Sequence, residues 1–338
     1  MARLRRVDCA EPGIRRVRVG RGFRYADEAG DRVTDEAALE RIGELAIPPA
    51  WKDVWICPDP QGHIQATGED DAGRKQYLYH SAWRARQDRL KFEQMLELAA
   101  VLPALRRRLQ RGLREPGLTR ERVLAGAISL LDLGFFRIGS EQYAEQNESF
   151  GLATLRKSHV RSENGAVVFD YPAKSSQRRV QEITDPQLVK LVRSLKRRKG
   201  GGRELLAYRE GRSWVDVRSD EVNAHLKELT GEDFSAKEFR TWHATVLAAV
   251  TLAARAGEPT SKSARARITR EVVKEVAEVL GNTPAVCRRA YIDPRVFDRF
   301  DSGATIRPAL GRGLSLENGS LEGRGRTRIE AAVIDLLK

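Results

Sequence analysis

The first part of the chain, up to about residue 82, alternates polar and apolar residues in short runs separated by turn residues. The segments GIRRVRV, DVWICPD and RKQYLYH have the two-residue period of half-buried strands. Among these strands, TDEAALERIGELA has the spacing of a short helix that is opened by Thr34 and ends before Pro48 and Pro49. The pattern predicts a small sheet that carries one helix.

From Ser81 onward the apolar residues recur at helical spacing, which predicts a long helix with one apolar side. The residues on that side are Leu90, Met95, Leu98 and Val101. The segment ERVLAGAISLLDLGFF is apolar throughout and predicts a buried central helix that ends within Gly134–Arg137. The change of period places a domain boundary near residue 88, between a β-rich domain, 1–88, and a mainly helical domain, 89–338.

A hairpin signal interrupts the helical part. Asn164 and Gly165 stand between two alternating segments and specify a two-residue turn, because both residues tolerate positive φ. A second turn around Ala173 to Ser176 makes this a three-stranded sheet. Near the end of the chain, the Gly- and Arg-rich segment 311–327 is expected to be a flexible loop.

One short helix is marked at both of its ends. Thr283 and Pro284 have the residue types of an N-cap and a first helical position. The helix carries Tyr291 and cannot extend far beyond Ile292, because Pro294 follows. Tyr291 is therefore expected at a helix end.

The charge balance favours a polyanionic partner, although charge alone does not decide it. The chain has 60 Lys and Arg against 47 Asp and Glu, a net charge of +13. The three cysteines, Cys9, Cys57 and Cys287, lack metal-ligand spacing and are expected to be reduced residues of a cytoplasmic protein. No phosphate loop, HExxH motif or His/Cys cluster is present, so neither a cofactor nor a metal is expected.

Membrane attachment and export are not expected. No apolar run approaches the ~20 residues that cross a bilayer, and the Arg-rich start lacks the apolar core of a signal peptide. We expect a soluble, intracellular protein.

Tyr291 is the candidate nucleophile for cutting a phosphodiester. Such a transesterification needs a nucleophile, cations around the non-bridging oxygens and an acid for the departing oxygen. Arg288 and Arg289 stand beside Tyr291 and would favour its phenolate over a reference pKa of about 10. Taken alone, a tyrosine at a helix end is more often a packing residue.

The flanking residues favour the nucleophile. GNTPAVCRRAY, together with KEFRTWHAT upstream, resembles the catalytic end of type IB DNA topoisomerases of the poxvirus and bacterial branch. The resemblance implies that Arg240, within the motif K-[DE]-[LF]-R-T, and Arg137, at the end of the central helix, hold the non-bridging oxygens of the scissile phosphate. Read as isolated residues, both arginines more often form surface ion pairs.

Two further site residues follow from the same resemblance. The lysine general acid of the family lies on a hairpin loop, and Lys174 occupies the corresponding turn. The commoner pattern has histidine nine residues before the tyrosine, where this chain has Asn282. An amide can donate a neutral hydrogen bond to a phosphate oxygen but supplies no ionisable proton. The alternatives are a solvated turn lysine and a turn or cap asparagine before Thr283.

The resemblance also covers the N-terminal region, through the block LAIPPAWKDVWICPDPQGHIQATGEDDAGRKQYLYH. It implies that Gln76, Tyr77 and Tyr79 face the DNA, where glutamine can read a base edge and tyrosine can contact phosphate or a thymine methyl. Read alone, the two tyrosines are alternate residues on one strand face and fit a core position. The run LKRRKGG at 195–201 and the basic stretch Arg106–Arg108 fit either phosphate contacts or solvated helix faces.

The sequence thus predicts an α+β protein with a β-rich DNA-binding domain, 1–88, and a mainly helical catalytic domain, 89–338, which contains a three-stranded hairpin sheet. The resemblance implies a monomer that clamps duplex DNA in the bacterial nucleoid. It relaxes supercoils of both signs through a 3′-phosphotyrosyl intermediate, without ATP or metal. Two alternatives remain open, a tyrosine recombinase and a non-catalytic basic DNA-binding protein. Paired-site synapsis distinguishes the first, and a covalent tyrosyl-DNA adduct excludes the second.

Overall fold

A computed structural model describes residues 3–174, 177–255, 261–310 and 325–338. The chain divides into two compact units, Met1–Leu90 and Lys91–Lys338. The assignment of DNA binding to the first unit and catalysis to the second stays a prediction. Ser175 and Ser176 of the second hairpin turn, and 311–324 of the expected C-terminal loop, lie outside the described residues.

The first unit is a five-stranded antiparallel sheet with one helix. Its elements are β1 (Ile14–Val19), β2 (Gly22–Ala26), α1 (Glu36–Glu44), β3 (Lys52–Ile56), β4 (Ile64–Glu69) and β5 (Lys75–Tyr79), and the strand order is β2-β1-β3-β4-β5. Ile42 of α1 is buried in one cluster with Ile14, Val54 and Ile56 of the strands. The predicted cap of α1 is wrong by one residue, because Asp35, and not Thr34, accepts the hydrogen bond from Ala38 N.

The second unit is mainly helical. Its helices are α2 (Ser81–Leu113, which begins in the first unit), α3 (Arg120–Gly134), α4 (Glu141–Asn147), α5 (Pro186–Arg197), α6 (Ser219–Thr230), α7 (Ala236–Arg255), α8 (Lys262–Leu280), α9 (Pro284–Ala290), α10 (Arg295–Asp301) and α11 (Gly325–Leu337). Strands β9 (Ala207–Glu210) and β10 (Ser213–Asp216) form a separate hairpin. Together with the first unit, this arrangement confirms the predicted α+β fold class.

Two helices form the buried centre of the second unit and carry site arginines at their ends. Almost every residue of α3 and of α7 is buried, which confirms the predicted central helix. The chain leaves α3 through Phe135, in the left-handed conformation with φ 51°, and reaches Arg137 two residues later. Arg240 lies in the second turn of α7 and is itself buried.

The predicted three-stranded sheet is present in the second unit. It consists of β6 (Val160–Glu163), β7 (Ala166–Ala173) and β8 (Gln177–Ile183), in the order β6-β7-β8. Asn164 and Gly165 have φ of 42° and 86°, the two positive values of a type I′ turn, and the predicted hairpin is confirmed. Ala173 pairs with Gln177 across the second turn, which contains Lys174.

One arginine in each of two basic segments differs from both sequence-based alternatives, while the other basic residues of these segments are exposed. Arg106 is neither a phosphate contact nor a solvated residue, because its guanidinium forms ion pairs with Asp132 and Glu330 inside the second unit. Arg198 of the other segment is also buried, and it donates to the carbonyls of Leu195 and Leu205. Arg106 pairs with internal carboxylates and Arg198 donates to internal carbonyls. A sequence pattern does not show such tertiary partners.

Candidate active site

The C-terminus of α8 is the centre around which the candidate site is built. Gly281 ends the helix in the left-handed conformation, with φ 64°, and its N–H bonds back to Ala277 and Glu278. The last carbonyls of a helix have no partner within the helix and carry the negative end of its dipole. Here they accept hydrogen bonds from three arginine side chains.

These three arginines come from three different elements. Arg240 Nη2 donates to Leu280 O at 3.0 Å, and Arg137 Nη2 donates to Gly281 O at 2.8 Å. Arg179 of β8 donates to Val279 O at 2.6 Å and to Glu278 O at 3.3 Å. The helix end thus holds α7, β8 and the segment after α3 around one point.

Asn282 joins two of these arginines directly. Its side-chain oxygen accepts a hydrogen bond from Arg137 Nη2 and a longer one, 3.3 Å, from Arg240 Nη2. Arg240 also donates through Nη1 to Phe135 O at 2.6 Å, so it is tied to the segment that leads to Arg137. The cap of α9 is Thr283, with Pro284 at its first position as predicted. Asn282 is therefore not that cap.

Tyr291 lies at the C-cap of α9, with the guanidinium carbon of Arg240 5.3 Å from its ring centroid. Its backbone is fixed by Thr245, whose hydroxyl donates to Tyr291 O at 3.3 Å and accepts from Asp293 N at 3.1 Å. Burial raises the pKa of Tyr291. The charge and hydrogen bond of Arg240, the charge of Arg137 and a hydrogen bond with Asn282 outweigh burial, so that the net pKa is lowered.

The cations that lower this pKa are not the neighbours that the sequence indicated. Arg288 stacks on the ring of Phe297, 4.6 Å from its centroid, and neither Arg288 nor Arg289 contributes to the pKa of Tyr291. Arg289 lies two residues before Tyr291 and therefore does not share its helix face. Arg288, three residues before Tyr291, packs on Phe297 instead. Arg240 and Arg137, distant in sequence, take that place.

The site has an excess of positive charge. Among the residues the structure describes, no carboxylate forms an ion pair with Arg137, Arg179 or Arg240. Burial, and then repulsion by Arg137, lower the pKa of Arg240 to about 10. The Nε of Arg240 is buried and has no hydrogen-bond partner in the described part of the chain. A buried donor of this kind calls for a ligand, and an anion fits it.

Lys174 stands apart from these residues. It is exposed at the turn between β7 and β8, and its ammonium group makes no hydrogen bond or ion pair with the residues that the structure describes. The structure therefore brings together Tyr291, Arg137, Arg240 and Asn282, and it leaves Lys174 on the neighbouring hairpin.

The N-terminal candidates lie on two faces of β5. Tyr77 and Tyr79 are exposed, at 40% and 38%, and their rings stack with centroids 6.0 Å apart, so the core alternative is wrong for both. Lys75 lies on the same face, 5.8 Å from the Tyr77 ring. Successive side chains of a strand alternate between faces, and the amide of Gln76 donates to Asp70 at 2.9 Å. The three candidates therefore do not share one face.

The part of the chain that the structure describes holds neither a metal-ligand cluster nor a membrane-spanning helix. No group of three or more His, Cys, Asp or Glu residues could hold a metal ion in that part of the chain. None of its helices is long and apolar enough to span a membrane.

A cluster of arginines with one buried member, beside a tyrosine with a lowered pKa, is typical of an enzyme that acts on phosphate esters. The comparisons with known proteins agree with that class. The family described as "Eukaryotic DNA topoisomerase I, catalytic core" matches residues 80–302, and "Bacterial DNA topoisomerase IB, N-terminal domain" matches residues 22–70. The chain belongs to the type IB DNA topoisomerases, a family of isomerases, as the sequence resemblance predicted.

Individual proteins named DNA topoisomerase 1B or DNA topoisomerase 1 are similar to this chain. DNA topoisomerase 1B of Acanthamoeba polyphaga mimivirus is 30% identical over 288 residues, which cover 83% of this chain and 85% of the viral protein. DNA topoisomerase 1 of Schizosaccharomyces pombe is 29% identical over 167 residues, 49% of this chain and 19% of the yeast protein. DNA topoisomerase 1 of Daucus carota is 28% identical over 130 residues, which cover 38% of this chain and 15% of the plant protein.

Proposed function

We propose that this chain relaxes supercoiled duplex DNA of both signs, by cutting and resealing one strand through Tyr291, without ATP or metal. One observation carries the proposal: Arg137, Arg240 and Asn282 meet beside Tyr291 at the end of α8, with no carboxylate to neutralise them in the described residues. A phosphodiester supplies the missing negative charge. The covalent link conserves the free energy of the broken phosphodiester, so no nucleotide is needed to reseal the strand. Torsion in the supercoiled DNA drives the rotation.

In the proposed reaction, Tyr291 attacks as the deprotonated phenolate, and its oxygen forms a 3′-phosphotyrosyl bond with the scissile phosphorus. The bond from phosphorus to the 5′ oxygen breaks, its electron pair stays on that oxygen, and Lys174 supplies the proton. The products are the covalent adduct and a free 5′-hydroxyl. After strand rotation, the 5′-hydroxyl attacks the adduct in the reverse step and releases Tyr291.

The arginines and Asn282 would stabilise the charge that builds on the phosphate. Arg240 can use its unpartnered Nε, since a guanidinium has five N–H groups and two of its nitrogens are held by carbonyls here. The side-chain oxygen of Asn282 is held by two guanidiniums, which leaves its amide N–H groups for Tyr291 or a phosphate oxygen. The lowered pKa of Tyr291 supports this orientation, because Asn282 contributes a hydrogen bond to it.

DNA binding by the first unit is part of the proposal. The exposed face of β5 offers two stacked tyrosines and Lys75, which suit contacts to phosphates and to thymine methyls. Gln76 would have to exchange its hydrogen bond with Asp70 for a base edge. We further propose that the protein acts as a monomer on DNA of the cytoplasmic nucleoid.

Relaxation of a supercoiled plasmid in EDTA and without nucleotide tests the proposal. The wild-type chain should relax positive and negative supercoils, and a denaturing gel should show a covalent protein-DNA adduct. Tyr291→Phe should abolish relaxation and the adduct while duplex binding persists, since only the nucleophilic oxygen is lost. An adduct that survives in Tyr291→Phe would place the nucleophile elsewhere. Tight DNA binding without relaxation by the wild-type chain would overturn the proposed activity.

A further inference from the structure

Arg179 belongs to the arginine cluster, yet the sequence analysis did not single it out. It lies on β8, five residues after Lys174 on the same hairpin, at a half-buried position between two exposed ones. Its two terminal nitrogens donate to Val279 O at 2.6 Å and Glu278 O at 3.3 Å. One planar side chain thus bridges the strand that follows the Lys174 turn and the helix that leads into Asn282.

The close approach of the hairpin to this helix end depends on Gly281. A β-carbon on Gly281 would lie 3.3 Å from Arg179 Nη1 and 3.3 Å from Gln177 Oε1, which is tighter than ordinary contact. Gln177 is the residue that pairs with Ala173 across the Lys174 turn. The base of that turn therefore packs against the residue directly before Asn282.

The neighbouring strand makes a second connection to the site. Tyr171 of β7 pairs with Arg179 in the sheet register, and its ring stacks on Phe136 with centroids 6.3 Å apart and an interplanar angle of 10°. Phe136 directly precedes Arg137. The aromatic packing holds the body of the sheet. Near Lys174, Ser149 Oγ and Phe150 N donate to Ala173 O and Pro172 O of β7, whereas Arg179 connects β8 to the end of α8.

We propose that Arg179 is a positioning residue that holds the Lys174 hairpin on the C-terminus of α8 and thereby places Lys174 against the phosphate bound by Arg137, Arg240 and Asn282. This inference rests on the proposed function. The terminal nitrogens of Arg179 donate to backbone carbonyls, so Arg179 would contribute by fixing the position from which Lys174 donates its proton to the 5′ oxygen. Burial lowers the pKa of Arg179, Tyr171 opposes this shift, and repulsion by Arg137 adds to it.

Removal of Arg179 should affect one step of the reaction in particular. If Arg179 acts only through Lys174, its removal should slow the step in which the 5′ oxygen takes a proton and should spare attack by Tyr291. In a substrate with sulfur in place of the 5′ oxygen at the scissile bond, the 5′ strand leaves as a thiolate, and this leaving group needs no acid. Loss of Arg179 should then be repaired by sulfur, as loss of Lys174 should be.

The experiment measures single-turnover cleavage of a suicide duplex with oxygen or sulfur at that position. Arg179→Ala should slow cleavage of the oxygen substrate by about 10²-fold, the lower end for a lost general acid, and should cleave the sulfur substrate close to the wild-type rate. Arg179→Lys, which keeps one charge but not the forked donor, should fall between. Arg178→Ala is the matched control, because Arg178 lies on the exposed face of the same strand and pairs with Asp170. It should cleave both substrates like the wild type.

Four outcomes separate the explanations. Equal slowing of Arg179→Ala on both substrates would overturn the positioning role, since Arg179 would then act on the phosphate or on folding. Cleavage rates of Arg179→Lys and melting curves of both variants would distinguish a contact with the phosphate from an effect on folding. A wild-type rate of Arg179→Ala on the oxygen substrate would overturn it as well. If Lys174→Ala is rescued by sulfur and Arg179→Ala is not, only this inference fails. If the wild-type chain forms no adduct, the proposed function itself fails.

Discussion

Replacing Asn282 by aspartate tests what the amide contributes at the site. The carboxylate would keep an oxygen where Arg137 and Arg240 now donate, and it would remove the N–H groups that face Tyr291. It would also place a negative charge where the substrate phosphate is proposed to bind. The variant should therefore have a higher free energy of unfolding and a lower cleavage rate than the wild type.

The effect on stability follows from the two arginine contacts. A hydrogen bond with one charged partner contributes about 1.5–3 kcal/mol to stability. In Asn282→Asp both partners of each contact would be charged, which strengthens the two contacts, but the new carboxylate loses hydration. Arg240 is only 5% exposed and forms no ion pair with a carboxylate of the described residues, and burial, followed by repulsion from Arg137, lowers its pKa to about 10. We expect a net gain of about 1 kcal/mol in the free energy of unfolding, which raises Tm by roughly 2–4 °C.

The effect on cleavage has the opposite sign. Asn282→Ala loses one donor to the developing charge and should be slower by about 10²-fold. Asn282→Asp loses the same donor, repels the phosphate and raises the pKa of Tyr291, each unit of which costs about tenfold near neutral pH. Its cleavage should be slower by about 10³-fold or more. Asn282→His should retain much of the activity, since a ring N–H can donate in place of the amide.

Rapid-quench cleavage of a suicide duplex measures the rates, with melting curves and a duplex-binding titration on each variant. The reasoning is refuted if Asn282→Asp cleaves faster than Asn282→Ala, because the amide would then not act as a donor. A lower Tm for Asn282→Asp would refute the part of the argument that concerns the unneutralised arginines. A wild-type rate in Asn282→Ala would return Asn282 to a plain turn residue.

Four further predictions concern the rest of the chain. The cleavage rate should rise with pH and level off below pH 10 in a stopped-time pH profile, because the attacking form of Tyr291 is the phenolate and its pKa is lowered; an inflection above 10 would contradict this. Thr245→Val should leave the N–H of Asp293 without its acceptor, cost about 1–3 kcal/mol in urea unfolding and slow cleavage; unchanged kinetics would show that the backbone of Tyr291 needs no such support. Asp132→Asn should cost about 3–5 kcal/mol, because it uncouples buried ion pairs, whereas Lys227→Ala, which breaks an exposed pair, should cost about 0–1 kcal/mol; equal losses would refute the distinction. Duplex affinity should fall with salt at a slope of about −0.9 per phosphate contact in a fluorescence titration, and a flat response would argue against phosphate anchoring.

Local signals in the sequence were sufficient for several elements. The Asn164-Gly165 turn and the Thr283-Pro284 helix start each depend on the backbone preferences of adjacent residues, which act without the rest of the fold. The buried central helix was predictable because it is apolar on every side. The strand period likewise predicted an N-terminal sheet, although it did not give the order of its strands.

The partners of charged residues were not predictable from the sequence. Nothing near Arg106 in the chain indicates Glu330. Arg240 and Arg137 were assigned to the site of Tyr291 by the family resemblance alone, since local periodicity and charge indicated Arg288 and Arg289 instead. The period of β8 indicates that Arg179 shares a face with Ile183, but the helix end that it contacts is about a hundred residues away in sequence. Such contacts depend on topology, which local pattern does not specify.

The use of backbone carbonyls at the end of α8 also affects which mutations the site tolerates. A carbonyl is present whatever side chain a residue carries, so substitutions at exposed Glu278 leave the resting support of the arginines intact. Only changes that alter the path of the backbone can remove it, such as proline within the last turn or a β-branched residue at Gly281, where φ is 64°. In a deep mutational scan, positions 278 and 281 should therefore differ sharply in the range of residues they accept, although both supply an acceptor to the same cluster.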